Sequence, residues 1–172
     1  MEKLLAAAFT ELGESGHENL TIRTVAQRAG VSPATAYTYF ASKNHLYAEL
    51  FLRAIRQRPE VELAGSGLDR VRATTRDMAV FLADQPELAA AVRIALLGTD
   101  ADVERLRVDI GVEFLRRFGA ALGPGHDPVL LEALVLAFSG ALLQAGMGLL
   151  TYAEMGDRLD HVMAAIMVGH DA

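Results

Sequence analysis

The sequence predicts an all-α protein, with a three-helix N-terminal part that contains a helix-turn-helix and a larger helical C-terminal part. Two observations support this fold class. Apolar residues recur at three- and four-residue spacing along the chain, and glycine or proline separates these stretches, with no alternation typical of a strand. At 172 residues and 52% hydrophobic content, the chain can also bury a sizeable core.

The first predicted helix runs from Glu2 to Leu12, and a loop over residues 13–19 follows it. The next helix, Thr21 to Ala29, has Ile22 and Val25 on one face, while polar side chains including Arg23 occupy the other. We expect the first helix to pack on this second one and complete a three-helix unit.

A tight turn and a third short helix follow. Gly30 can adopt the left-handed conformation that ends a helix. Ser32 has the side-chain oxygen wanted at an N-cap, and Pro33 suits the first helical position of a helix that ends at Phe40. Thr21 to Phe40 is therefore the predicted helix-turn-helix, whose second helix can enter the major groove of DNA.

The charge distribution agrees with a nucleic-acid partner. The whole chain has a net charge of −6, but the segment over residues 20–58 has six basic residues and one acidic residue, a net +5. A basic segment in an acidic protein directs DNA to one face. The alternative is an ordinary helical hairpin whose aromatic residues are core, and we expect at least Phe40 to pack inward.

The segment from Leu20 to Leu50 closely resembles the DNA-binding segment of TetR-family transcriptional repressors, in which a tyrosine, an aromatic pair and a following lysine recur. The resemblance implies that Tyr37, Tyr39 and Lys43 hold phosphates. It also implies that the residues nearest base edges are Arg23 and the first residues of the third helix, Pro33, Ala34, Thr35 and Thr38. Many relatives carry histidine at the position of Tyr39, so its role is either phosphate binding or packing. The predicted DNA-binding residues are Thr21, Arg23, Ser32, Pro33, Ala34, Thr35, Tyr37, Thr38, Tyr39 and Lys43.

The rest of the chain is predicted to be helical. Ser42 caps a connecting helix that ends before Pro59, and glycines at 65 and 67 mark a seam. The predicted domains are therefore residues 1–42, a connecting helix over 43–64, and a ligand-binding and dimerisation domain over 65–172. Five helices are predicted in the last: Leu68 to Asp84, Pro86 to Leu97, Ala101 to Leu122, Pro128 to about Leu150, and Thr151 to near Val168.

The stretch from Ala133 to Thr151 has no charged residue and is long enough to raise the question of a membrane span. We favour a buried helix, because no Lys or Arg flanks the stretch closely and the chain has no tryptophan. The resemblance implies that the last two helices form a four-helix interface with a second copy, although an intrachain core would use the same residues. The candidate interface residues are Leu136, Gly140, Leu143, Met163, Ile166 and Met167.

The interior of the larger part is the candidate ligand site. Bulky apolar side chains suit an apolar effector, and plain core packing is the alternative for each of them. These candidates are Met78, Phe81, Leu82, Phe114, Phe118, Phe138 and Met147. Polar candidates are Arg93, Ser139, Gln144 and Tyr152, of which Arg93 is best suited to an anionic group because it interrupts an apolar run.

We expect a homodimeric, DNA-binding transcriptional repressor that a small, largely apolar effector releases from a pseudo-palindromic operator. The alternatives are an activator and a ligand-independent DNA-binding protein of the same fold. We expect no enzyme, cofactor or metal site, because the chain has no cysteine and its five histidines are scattered. With no signal peptide, a cytoplasmic location is expected.

Overall fold

The computed structural model describes residues 1–170, which form nine α-helices and no strand, so the all-α fold class is confirmed. The helices are α1 (Glu2–Asn19), α2 (Ile22–Ala29), α3 (Pro33–Tyr39), α4 (Lys43–Gln57), α5 (Gly67–Asp84), α6 (Pro86–Leu97), α7 (Ala101–Leu122), α8 (Pro128–Gly146) and α9 (Tyr152–Ile166).

The chain divides into two compact units. The first consists of Met1–Arg58 and Pro86–Ile110, and the second of Pro59–Gln85 and Gly111–Ala172, of which residues 171 and 172 lie outside the described part. Helix α6 packs against α4 and α1. By packing, α6 and the first half of α7 therefore lie with the N-terminal helices, although the sequence analysis assigned them to the larger C-terminal part.

The turn between α2 and α3 forms as its residues predict. Gly30 has a left-handed φ of 69° and closes α2. Ser32 caps α3, because its Oγ accepts a hydrogen bond from the backbone N–H of Thr35 at 3.1 Å. Ala36 and Phe40 are fully buried and hold α3 on the rest of the first unit.

Helix α1 is longer than predicted. It continues through Gly13, and the chain leaves helical geometry at Gly16, where φ is 76° and ψ is 164°. Only glycine adopts this backbone region readily. The prediction of a loop over residues 13–19 was wrong because one exposed glycine, Gly13, does not end a helix.

The second unit contains α5, α8 and α9 together with the second half of α7, and α9 packs against both α5 and α8. Its core includes three phenylalanine rings. The ring centroid of Phe138 lies 5.3 Å from that of Phe114 and 5.6 Å from that of Phe118, in tilted arrangements favoured by aromatic pairs.

A group of charged side chains lies beside this ring cluster on α7. Glu113 and Arg117 are both buried, with 3.1 Å between Arg117 Nε and Glu113 Oε1. Arg116 donates to the Glu113 carboxylate at 2.8 Å and to Glu60 at 2.6 Å. The Arg116 guanidinium is the main cause that lowers the pKa of Glu113, so this carboxylate stays ionised in the folded chain.

Helix α8 ends at Gly146 and differs from the predicted buried helix. By length and composition it is apolar enough to cross a membrane, yet only 22% of its most apolar window is buried. Its inward face carries Leu130, Leu134 and Phe138, while Leu136 and Leu143 are exposed. An apolar helix with an uncovered face in a single chain is typical of a surface that binds another protein or a membrane.

Candidate nucleic-acid interface

Helix α3 presents almost all of its side chains to solvent. Of residues 33–39 only Ala36 is buried, and Tyr37 and Tyr39 are 48% and 44% exposed. Neither tyrosine is core, so the ordinary-hairpin alternative does not describe this helix. Phe40 is buried, as predicted.

The N-terminal ends of the neighbouring helices α2 and α4 are also accessible to solvent. Thr21 caps α2 through a reciprocal pair of hydrogen bonds with Thr24, which leaves Arg23 exposed on the first turn of that helix. Ser42 caps α4 by accepting a 3.0 Å hydrogen bond from the backbone N–H of His45. The backbone N–H groups at such helix starts favour a phosphate oxygen.

The net positive charge of residues 1–58 is smaller than the count over residues 20–58 suggests. Arg28 pairs with Glu11 at 2.7 Å and with Glu14, and Arg53 pairs with Glu2. Over residues 1–58 as a whole there are seven basic and five acidic residues, which leaves +2. The count over residues 20–58 missed the acids that α1 places against α2 and α4.

Lys43, at the start of α4, is held by the protein itself. Its Nζ donates a 2.8 Å hydrogen bond to the backbone oxygen of Glu18 and lies 5.6 Å from the ring centroid of Tyr47. Burial is the main cause that lowers the pKa of Lys43, and the nearby Glu18 opposes this shift. The lysine is thus partly buried and oriented, in contrast to the open tyrosines of α3.

The end of α1, residues 16–19, is fixed by two other helices. The Tyr47 hydroxyl of α4 donates to the backbone oxygen of His17. The backbone N–H of His17 donates to Oε2 of Glu87 on α6 at 2.7 Å, and the ring Nδ1 of His17 lies 2.7 Å from the same oxygen. These contacts lower the pKa of Glu87, the backbone N–H of His17 contributing most, and burial raises the pKa of Tyr47.

Sequence reasoning missed His17 and Glu87. They are 70 positions apart, and neither belongs to a motif. Another long-range contact in the same unit joins α4 to the residue before α7, where Asn44 Nδ2 donates to Asp100 at 2.8 Å. The carbonyls of Leu96, Gly98 and Asp100 accept hydrogen bonds from Arg107.

The predicted ligand residues fall into two groups. Met78, Phe81, Leu82, Phe114, Phe118 and Phe138 are buried in the second unit. Ser139 and Gln144 on α8 and Met147 just after it are exposed, which corrects their predicted interior position. Only one face of α8 is turned inward, and Ser139 and Gln144 lie off that face. Arg93 and Tyr152 are partly exposed, and Arg93 belongs to the first unit.

The predicted interface residues also divide. Leu136 and Leu143 face outward, at 64% and 40% exposure, and Gly140 is partly exposed. Met163 and Met167 are buried in the core of the second unit, so the intrachain alternative holds for these two. Ile166 on α9 is partly exposed. Within residues 1–170, no group of three His, Asp or Glu side chains could hold a metal ion.

An exposed second helix in a capped helix-turn-helix defines a DNA-binding protein of the helix-turn-helix class. Residues 4–50 match the family model described as "Bacterial regulatory proteins, tetR family". Over 170 residues the chain is 49% identical to an uncharacterized HTH-type transcriptional regulator of Mycobacterium tuberculosis, covering 97% of this chain and 80% of that protein. The chain therefore belongs to the TetR family of bacterial transcriptional regulators, which are not enzymes.

Solved structures share the fold over nearly the whole chain. A TetR transcriptional regulator from Rhodococcus sp. RHA1 superposes with a TM-score of 0.79 at 21% identity, covering 98% of this chain and 96% of that one. FadR from Bacillus subtilis, solved in complex with stearoyl-CoA, gives a TM-score of 0.63 at 15% identity, covering 94% and 96%. At such identities the likeness concerns the fold alone.

Proposed function

We propose that this DNA-binding regulator is a homodimeric repressor that leaves its operator when a small, largely apolar ligand binds. The observation that carries the DNA-binding part is the exposure of α3, where six of seven side chains are open to solvent. In this proposal Pro33, Ala34, Thr35 and Thr38 lie nearest base edges. Tyr37, Tyr39 and Lys43 bind phosphates, and Arg23 approaches from α2.

The outward face of α8 supports the homodimer. Leu136 and Leu143 on α8, and Met147 just after its end, are large exposed apolar side chains, and Gly140 between the two leucines permits close approach of another helix. A second copy that presents the same face would cover them by twofold symmetry. Two recognition helices related by that symmetry would read a pseudo-palindromic operator.

The apolar core of the second unit supports the proposal of an apolar ligand. Phe114, Phe118 and Phe138 form a ring cluster of the kind that contacts acyl or aromatic groups. The Bacillus subtilis FadR structure holds stearoyl-CoA, which makes long-chain acyl-CoA a reasoned first probe here. A ligand can release DNA only by binding one arrangement of the protein more tightly than the other.

Selection of duplexes from a randomised DNA library by the purified chain tests the proposal. We expect enrichment of a pseudo-palindromic sequence, binding with a steep salt dependence, and a dimer in sedimentation. Stearoyl-CoA titrated into the complex, with free coenzyme A as the control, then tests release. Absence of any enriched duplex would refute DNA recognition, and a monomer at every concentration would refute the dimer. Release by free coenzyme A alone would contradict an apolar ligand.

Repression is tested separately, with a reporter gene placed behind the selected duplex. We expect reporter expression to fall when the regulator is present and to recover in a Tyr37→Ala variant. A rise in expression would instead favour the activator alternative. A cytoplasmic location is part of this proposal, since the DNA is there.

A further inference from the structure

The predicted phosphate ligand Lys43 is connected to α6 through the end of α1. Its Nζ donates to the backbone oxygen of Glu18 at 2.8 Å. The preceding residue, His17, is bound through its backbone N–H and its ring Nδ1 to one carboxylate oxygen of Glu87, both at 2.7 Å. Glu87 therefore anchors the residue that precedes the Lys43 acceptor, although it lies in a different helix from both His17 and Lys43.

The backbone at Gly16 makes this arrangement possible. Its φ of 76° turns the chain so that the N–H of His17 points at Glu87. A Cβ built on Gly16 would lie 3.2 Å from Glu87 Oε2, so the carboxylate occupies the space that a side chain would need. The carboxylate thus lies close against the backbone at Gly16, although the Glu87 side chain is 44% exposed.

We propose that Glu87 is a positioning residue for DNA binding, which acts by fixing residues 16–19 and through them the ammonium group of Lys43. The inference rests on the proposed function, in which Lys43 binds a phosphate. A carboxylate on α6 then affects DNA affinity without touching DNA. It also means that a displacement of α6 would reach the phosphate contact through the end of α1, in addition to any tilt of α4.

The bonding pattern defines what each substitution removes. Because an ionised carboxylate only accepts, Nδ1 of His17 carries a proton in this contact. Glu87→Ala removes the acceptor for both donors. Glu87→Gln keeps one acceptor oxygen, and His17→Phe removes the ring contact but keeps the backbone N–H. We therefore expect Glu87→Ala to disturb the position of Lys43 most, and Glu87→Gln and His17→Phe to disturb it less.

The experiment measures binding of the full chain to a fluorescent duplex selected from a random library, at several salt concentrations. Loss of one phosphate contact lowers the slope of log affinity against log salt by about one per chain, so by about two per dimer. We expect this reduction for Lys43→Met and most of it for Glu87→Ala. A Lys43→Met, Glu87→Ala double variant is expected to bind within about twofold of Lys43→Met alone, since residues that act as a unit are not additive.

Glu2→Gln is the matched control. It breaks the Arg53–Glu2 pair, which also joins two helices of the first unit but does not contact Lys43 or residues 16–19. Its salt slope should equal that of wild type. Thermal unfolding of every variant identifies any loss of folded protein, which lowers the active fraction without changing the slope.

The outcomes separate the two proposals. A wild-type slope for Lys43→Met would refute the phosphate contact of Lys43, and with it the positioning role. A reduced slope for Lys43→Met combined with a wild-type slope for Glu87→Ala would refute the positioning role alone. Additive losses in the double variant would show that Glu87 acts on DNA binding by a different route and would overturn the inference.

Discussion

Replacing Phe138 with alanine should reveal how much of the stability of the second unit depends on its ring cluster. The Phe138 ring is fully buried, and its centroid lies 5.3 Å and 5.6 Å from two other rings. Truncation of a buried phenylalanine costs about 3–5 kcal/mol, and the two aromatic pairs account for roughly 1–3 kcal/mol of that cost. For a chain of this length the loss lowers Tm by roughly 6–20 °C.

Leu136 offers the matched control, because it lies two residues earlier on the same helix and is 64% exposed. Within one chain, Leu136→Ala should change the free energy of unfolding by no more than about 0.5 kcal/mol. In a dimer built on the outward face of α8, the same substitution costs more as protein concentration rises, since association stabilises the folded state by mass action.

Urea unfolding followed by circular dichroism, at protein concentrations spanning two or three decades, measures both effects. The Phe138→Ala loss should be similar at every concentration, and the Leu136→Ala loss should grow. A Phe138→Ala loss below about 1 kcal/mol would refute a packed ring cluster. A Leu136→Ala loss that does not depend on concentration would refute the role of this face in association.

Three further predictions concern single side chains. Ser32→Ala removes the cap of α3 and should lower the free energy of unfolding in urea by about 1 kcal/mol, whereas Ser32→Thr should keep the wild-type stability. Equal stability of wild type and both variants would refute the cap. Glu113→Gln removes one partner of a buried ion pair and should lower the free energy of unfolding by about 3–5 kcal/mol at pH 7. The pKa of Glu113 in the folded chain lies below its ordinary value of 4.5. The extra stability of wild type over the variant is therefore full above pH 4.5 and decreases as the pH falls through the folded pKa. A stability difference that stays constant down to acid pH would contradict this ion pair. Tyr37→Phe should weaken operator binding with no change in Tm, and a fall in Tm instead would place its hydroxyl in the fold.

Helix boundaries were predictable where the local chemistry is unambiguous. Pro86–Leu97 and Ala101–Leu122 begin and end at the predicted residues, because proline suits a first turn and glycine an end. The end of α1 was not predictable in the same way. Gly13 and Gly16 are both glycines in one polar stretch, and the break falls at Gly16, next to the His17 N–H that donates to Glu87, a residue distant in sequence.

Faces of apolar helices were less predictable than their ends. Met163 and Leu143 both belong to helices with apolar residues at helical spacing, and the sequence does not say which face meets the chain itself. The structure buries Met163 completely and leaves Leu143 exposed. Periodicity predicts that a helix has an apolar face, but the tertiary fold determines which residues pack against that face.

The placement of α6 depends on tertiary contacts for the same reason. Its sequence, rich in alanine with one arginine, carries no sign that it packs on α4 and α1. Residues 58–66 separate α4 from α5, but the two compact units do not follow chain order. The pairing of Glu87 with His17 could be recognised only once that packing was known.

The pairing of Arg28 and Arg53 with acids of α1 bears on how such a regulator finds its target. With a net charge of only +2 over residues 1–58 and −6 overall, long-range attraction to DNA should be small, and the expected steep salt dependence comes from the phosphate contacts made in the complex. The protein should then stay bound to random genomic sequence only briefly, so non-specific sites compete less with the operator. Discrimination must come from a few contacts made at touching distance, and a single altered side chain among them should matter more than in a strongly cationic repressor.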